Sequence, residues 1–245
     1  MTSTGKSASI IIIGNEILCG RTADTNSHWI ARRLYRMGIC VKSIVTIPDV
    51  EEEIVRTVQA FAPMHDYVFV AGGIGPTPDD VTRQAIATAF ARKLVLHPGA
   101  ELAIRKRCEG AINEYKLEMA RLPEGSQLIP NITLAAPGFR LGNVFVFPGV
   151  PQLVREMFEQ IVPLLDKCEV YERQIPVELP ESEFSHILYS LADRSDVSIG
   201  SYPTLHDDGR WTVKIIVSGF DRDAVEEVAR QIEAQLGELR RSKHI

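Results

Sequence analysis

The stretch YVFVAGGIGPTPDDVTR, residues 67–83, decides how the chain folds. Tyr67–Ala71 is a short unbroken apolar run that stops at Gly72-Gly73, the pattern of a strand buried on both faces. A helical stripe of Val81, Ala85, Ile86, Ala89 and Phe90 follows the glycine loop. Strand, glycine loop and helix make half of a βαβ unit, and the upstream sequence supplies the rest. SIIII at 9–13 is a second buried strand, ending at Gly14. Ile30, Leu34 and Met37 recur at i, i+4 and i+7 on a helix that Asp24 or Thr25 caps and Gly38 closes. Cys40–Ile47 reads as a strand. Asp49, with Glu52 three residues on, predicts a capping box for a helix carrying Ile54, Val55, Val58, Phe61 and Ala62. The order β-α-β-α-β-α predicts parallel strands with helices on both faces.

Working outward, Pro98 opens one or two helices reaching about residue 121. Strands are expected at 128–129 and 143–147, and Pro151 opens a helix ending near residue 165. The composition then shifts. A strand at 170–179, a helix at 181–192, strands at 197–202 and 211–218 around His206-Asp207-Asp208-Gly209, and a helix at 221–236 form a separate pattern. The expected organisation is an α/β domain over 8–167, three-layered around a mostly parallel sheet, and a small β-α-β-β-α module over 168–240.

The 245 residues are 45% hydrophobic and 24% charged, with 27 Lys+Arg against 32 Asp+Glu, an ordinary globular balance of net charge −5. A chain that lives on nucleic-acid phosphates carries a basic excess, so no nucleic-acid partner is expected. No apolar run approaches the ~20 residues that cross a bilayer, and no leader is read, so neither a membrane partner nor export is expected. The basic end, Arg240, Arg241 and Lys243, reads as a solvated helix terminus. Cys19, Cys40, Cys108 and Cys168 form no C-x-x-C pair, which fits isolated thiols in a reducing cytoplasm. Gly5-Lys6-Ser7 only imitates the end of a phosphate-binding loop, because no glycine stands upstream, and Lys6 reads as part of a frayed terminus. The glycines at 72, 73 and 75 do not complete G-x-G-x-x-G, nor is there a G-x-S-x-G elbow, and the six histidines show no metal spacing.

What remains is an anion cradle. Glycine lets backbone N–H groups approach a phosphate, and a helix N-terminus at the carboxyl end of a parallel strand adds donors and positive potential. Asp79 and Asp80 stand beside Gly72, Gly73 and Gly75, with Thr77 and Thr82 in the same segment. Carboxylates repel phosphate unless a divalent ion bridges them, so Asp79, Asp80 and Glu16 are candidate ligands for Mg²⁺, Mn²⁺ or Co²⁺. The loop after the first strand brings Asn15, Glu16, Gly20, Asp24 and Asn26 to the same sheet edge, and Asp49 follows the second strand. Pro137, Gly138, Pro148 and Gly149 build rigid turns after later strands and are further candidate contacts. An N-cap needs one acceptor, not two acids with three glycines and two prolines, so the 72–80 loop reads as functional, whereas simple turns and caps stay open as the reading of the 14–26, Asp49 and Pro-Gly loops.

Four runs carry a resemblance: GNEILCGRTADTN (14–26), GGIGPTPDDVT (72–82), APGF (136–139) and FPGVP (147–151). They resemble the molybdopterin-binding domain family, and within it the N-terminal domain of CinA-type competence/damage-inducible proteins and of eukaryotic FAD synthases. Ile199-Gly200-Ser201-Tyr202-Pro203 is similar to a segment that follows that domain in those proteins. The resemblance implies a cleft for a phosphorylated heterocycle. In the cofactor-synthesis branch the ligand is molybdopterin, and the two functional aspartates correspond to Asp49 and Asp80. In the CinA and FAD-synthase branches the ligands are ADP-ribose-like or FAD-like, with metal-dependent pyrophosphate hydrolysis. Many relatives carry Asp at the position of Asn15. The amidohydrolase and nucleotidyltransferase domains of longer relatives have no counterpart in these residues, so neither amide hydrolysis nor FAD synthesis is expected. The expectations are a metal-dependent nucleotide pyrophosphatase with catalytic Asp49, Asp79 and Asp80; alternatively a molybdopterin-binding or adenylylating protein; or a non-catalytic binding protein. A homo-oligomer is expected from the resemblance.

Overall fold

The computed structural model describes residues 5–107, 113–131 and 137–242, and the chain divides at Lys167/Cys168 into two compact units. In order, the first contains β1 (Ser7–Ile13), α1 (Asn15–Leu18), α2 (Asn26–Tyr35), β2 (Cys40–Ile47), α3 (Glu51–Phe61), β3 (Tyr67–Ala71) and α4 (Thr82–Ala89). It continues with β4 (Leu94–Leu96), α5 (Pro98–Arg107), α6 (Glu114–Glu118), β5 (Arg121–Pro123), β6 (Gln127–Ile129), β7 (Gly138–Leu141), β8 (Val144–Phe147) and α7 (Pro151–Ile161).

The main sheet runs β2-β1-β3-β8-β7-β6, and its first four strands are parallel. The apolar runs sort by period two onto its two faces. Ile10, Ile12, Phe69, Phe145 and Phe147 face α2 and α7, where they meet Ile30, Leu34, Met157 and Phe158. Ile11, Ile13, Val68, Val70, Val144 and Val146 face α3, α4 and α5, where they meet Ile54, Val58, Ala85, Ile86 and Ile104. The result is the expected three-layer α/β fold. Phe69 stacks on Phe145 at 5.4 Å and leans on Phe158 at 5.5 Å, so aromatic packing joins β3, β8 and α7.

Three local readings are corrected. Residues 138–141 are not a loop. They form β7, antiparallel to both β6 and β8, and four residues that begin with the glycine of Pro137-Gly138 carry too little alternation to signal a strand. The capping box at Asp49 does not form. Val50 occupies the N-cap of α3 without a side-chain cap, and Asp49 bonds elsewhere. Lys6 is not frayed, because its ammonium pairs with Asp66 at 3.0 Å and Asp166 at 3.7 Å. Ala136, Cys108 and Lys243 lie outside the described residues. The described thiols Cys19, Cys40 and Cys168 are free, and no described helix is long and apolar enough to cross a membrane.

The second unit contains β9 (Tyr171–Val177), α8 (Glu181–Tyr189), β10 (Val197–Leu205), β11 (Trp211–Gly219) and α9 (Arg222–Ser242). Its antiparallel sheet is ordered β10-β11-β9. Ile175, Val213, Ile215 and Val217 pack against Phe184 and Ile187 of α8 and Val225, Val228 and Ile232 of α9.

At the amino edge of the main sheet, Asp66 accepts from the Ser7 backbone N–H (2.8 Å), the Ser7 hydroxyl (2.8 Å) and Lys6 (3.0 Å). The Ser7 N–H, then Lys6 and the Ser7 hydroxyl, hold this carboxyl down at about 2. A depressed carboxylate stabilises the fold above its unfolded value and loses that contribution as the pH falls toward its folded one. Asp66 is partly solvated, so the full shift is discounted for screening to about 1 kcal/mol. Wild type is therefore expected to exceed Asp66→Asn in urea-unfolding free energy by about 1 kcal/mol at pH 6, a gap that closes between about pH 4 and 2. A gap constant across that range contradicts the assignment.

Candidate functional site

Each parallel strand of the sheet delivers one loop to the carboxyl edge. The loops after β1, β2, β3 and β8 are tied to one another there. Gly14 N–H donates to the Ile47 carbonyl (3.2 Å), and Asn15 N–H donates to Asp49 Oδ2 (2.7 Å), which joins the ends of β1 and β2. Gly72 N–H donates to the Phe147 carbonyl (3.1 Å), joining β3 to β8. Asn26 Nδ2 donates to the Gly149 carbonyl (2.7 Å), fastening the start of α2 to the turn after β8. Asp24 caps α2 by accepting from the Asn26 N–H (2.9 Å), the Ser27 N–H (3.0 Å) and the Ser27 hydroxyl. The expected cap therefore exists and belongs to Asp24.

Gly72 is required where it stands. Its φ is +119°, and a β-carbon there would overlap the Ile13 carbonyl oxygen. Gly73 also has positive φ, +65°, and a β-carbon would overlap the Thr82 hydroxyl. Gly149 comes close as well, with its β-position 3.7 Å from the Gly72 Cα. Gly20, φ +73°, turns the chain in open space after α1.

The orientation of the cradle follows from peptide geometry. The C=O and N–H of one trans peptide point in opposite directions. The Gly73 carbonyl accepts from Thr82 N–H (3.0 Å), so the Ile74 N–H points away from α4. The Ile74 and Gly75 carbonyls both accept from Arg83, the latter at 2.9 Å, so the Gly75 N–H points away as well. Among the described residues, no protein acceptor takes the N–H of Gly73, Ile74 or Gly75. The Gly72 N–H, expected to be a fourth donor to a ligand, already donates to the Phe147 carbonyl, so Gly72 shapes the loop.

Asp80 lies against this loop, with Oδ2 accepting from the Thr77 N–H (2.9 Å) and the Thr77 hydroxyl. Its other oxygen has no protein donor among the described residues. Asp79 is exposed. Glu16 folds its carboxylate back beside Gly14. Asp79, Asp80 and Glu16 do not converge. Among the described residues no three His, Cys, Asp or Glu side chains are placed to hold one ion. The described residues thus offer no preformed metal cage. Asp80, with one oxygen to spare beside outward amides, fits instead an ion held mostly by phosphate and water, the usual way Mg²⁺ is bound.

Two further residues complete the segment. Thr82 is fully buried, and its hydroxyl has no hydrogen-bond partner among the described residues, an unmet donor at the base of the loop. Arg83 carried no expectation of its own, yet it is 8% exposed and braces two loop carbonyls. A lone arginine between Thr82 and the Ala85/Ile86 stripe was the available signal. Gly138, a candidate contact, is placed by the structure as a packing glycine. It begins β7, buried, and a β-carbon there would lie 2.5 Å from the Val146 carbonyl. Pro137 is buried beside it, whereas Pro148 and Gly149 lie at the open edge.

With this geometry in place, comparison with known proteins identifies the class. A family profile described as "Probable molybdopterin binding domain" matches residues 9–167, and the chain belongs to that family. A second profile, "FAD synthase, middle domain", matches residues 169–242. An Archaeoglobus fulgidus protein is 38% identical over 232 residues, covering 94% of this chain and 98% of its own. A Caenorhabditis briggsae "Probable FAD synthase" is 33% identical, over 82% of this chain and 44% of its own length, so the chain spans less than half of that relative. The crystal structure of a CinA protein from Thermoplasma acidophilum, titled as of unknown function, matches with a TM-score of 0.60 and 32% identity. The match covers 64% of this chain and 96% of that one.

The two glycine readings separate by substitution. Gly72→Ala combines positive φ with a backbone overlap and is expected to cost about 3 kcal/mol or more. Gly20→Ala meets only the φ penalty, about 1 kcal/mol. Urea-unfolding midpoints measure both, and equal costs contradict the close-approach account of Gly72.

Proposed function

We propose that the chain is a divalent-metal-dependent nucleotide pyrophosphatase acting on ADP-ribose, FAD or a similar dinucleotide. One observation carries the reading: the amides of Gly73, Ile74 and Gly75 are without protein acceptors beside Asp80, whose second oxygen is likewise unspent. A bound divalent ion would screen the charge of the diphosphate and polarise a phosphoryl oxygen. Asp80 Oδ1 would hold that ion, with Asp79 and Glu16 reaching it only through water or a shift of their side chains. The loop amides would hold the phosphate oxygens and stabilise the charge that develops as the P–O–P bridge opens. Water adds to one phosphorus, the bridging oxygen leaves with the other, and ADP-ribose yields AMP and ribose 5-phosphate. Asp49 enters only by positioning, since its carboxylate is bonded to Asn15 N–H. Asp24 and Asn26 likewise act by fixing α2 against the Gly149 turn.

The profile over residues 9–167 favours a second reading, in which the same cradle binds the phosphate of molybdopterin, with or without adenylylation. The test is AMP release from ADP-ribose and from FAD with Mg²⁺, Mn²⁺ or Co²⁺, set against calorimetric titration with molybdopterin. Turnover that falls about 100-fold or more in Asp80→Asn, with the melting temperature retained, supports hydrolysis. No turnover with any of the three ions, or full activity in Asp80→Asn, overturns it. Tight pterin binding without dinucleotide cleavage moves the assignment to the second reading.

A further inference from the structure

Arg83 is a buried cation with no ion-pair partner among the described residues. The residue is 8% exposed, and its guanidinium hydrogen-bonds two backbone carbonyls and has no carboxylate within 4.0 Å among the described residues. Buried charges are costly unless they are paired. Burial pushes this group down, and the more distant carboxylates of Asp80 and Glu118 push it back up only in part. Glu118 is itself turned to Arg121 (3.8 Å).

The missing negative charge has an evident place. Arg83 grips the Ile74 and Gly75 carbonyls from the α4 side, and by the antiparallel geometry of the peptide this turns the Gly75 N–H to the opposite side. A planar fork suits this task, since it satisfies two acceptors at once and stays charged at any working pH. The carbonyl dipoles align with their positive ends away from Arg83, so the cation and the Gly75 amide it orients present positive potential in the same direction.

We infer that Arg83 is a positioning residue that makes the 73–75 loop a diphosphate site, its charge completed by a bound anion that it never touches. This rests on the proposed diphosphate chemistry of the same loop and adds the element that selects for anionic charge there.

The test uses the full chain and magnesium pyrophosphate as probe. Binding is followed by calorimetry at several salt concentrations, for wild type, Arg83→Lys and Arg83→Gln. Both variants lose the fork, and each is expected to bind about tenfold more weakly or worse. Only Arg83→Gln removes charge, so it alone is expected to flatten the dependence of affinity on salt. A purely structural arginine would lower the melting temperature of both variants and leave affinity and salt dependence of the folded protein unchanged, which overturns the inference. Should neither variant fold, wild type still decides. Magnesium pyrophosphate is expected to shift the Ile74 and Gly75 amide resonances and the Arg83 guanidinium resonance together, and an unmoved guanidinium overturns the inference. Wild type that binds the probe yet cleaves no dinucleotide removes the pyrophosphatase reading and leaves Arg83's role standing. Wild type that does not bind the probe removes both.

Discussion

The carboxyl edge of the sheet depends on one close approach, the Gly72 Cα against the Ile13 carbonyl oxygen. β1 and β3 are neighbours, so the chain leaving β3 has to turn directly over the end of β1. A side chain at this position would lift the turn off the sheet. With glycine there, the Gly72 N–H reaches the Phe147 carbonyl of β8, and three strand ends become one rigid floor. The amides of 73–75 are then fixed by the sheet, and α4 starts where its first N–H can close on Gly73. A site of this kind is ordered before any ligand arrives, which is the condition for backbone dipoles to act without reorganisation.

The architecture was legible wherever burial was complete. SIIII and YVFVA are apolar apart from Ser9 and the Tyr67 hydroxyl, so their length and their glycine stops were sufficient, and the two-sided core explains why no alternation showed. β7 was not legible, because Gly138-Phe139-Arg140-Leu141 is short and follows turn residues, and its strand identity comes from β6 and β8 on either side. At the site, local patterns misled where a distant partner competed. Asp49 had the spacing of a capping residue, but the Asn15 N–H, remote in sequence, takes its carboxylate. Gly72 looked like a free donor for the same reason, since nothing in residues 67–83 announces the Phe147 carbonyl. The capping role of Asp24 was readable because donor and acceptor lie within one turn.

Asp80 and Arg83 explain why acidic residues can border an anion cradle at all. Half of the Asp80 carboxylate is committed to the Thr77 turn, which fixes its direction and leaves a single oxygen outward. A rigid carboxylate beside outward amides would by itself repel a diphosphate, and one arginine behind the loop does not cancel both Asp79 and Asp80. In the proposed reaction the balance would close when a divalent ion accompanies the diphosphate, because the ion would neutralise the acids and the phosphate oxygens would complete its shell. In the proposed reaction this makes the anion and the ion mutually dependent: each is poorly bound alone. Such a reaction does not need a three-carboxylate cage, since a site that received its ion already bound to phosphate would not have to hold that ion between turnovers.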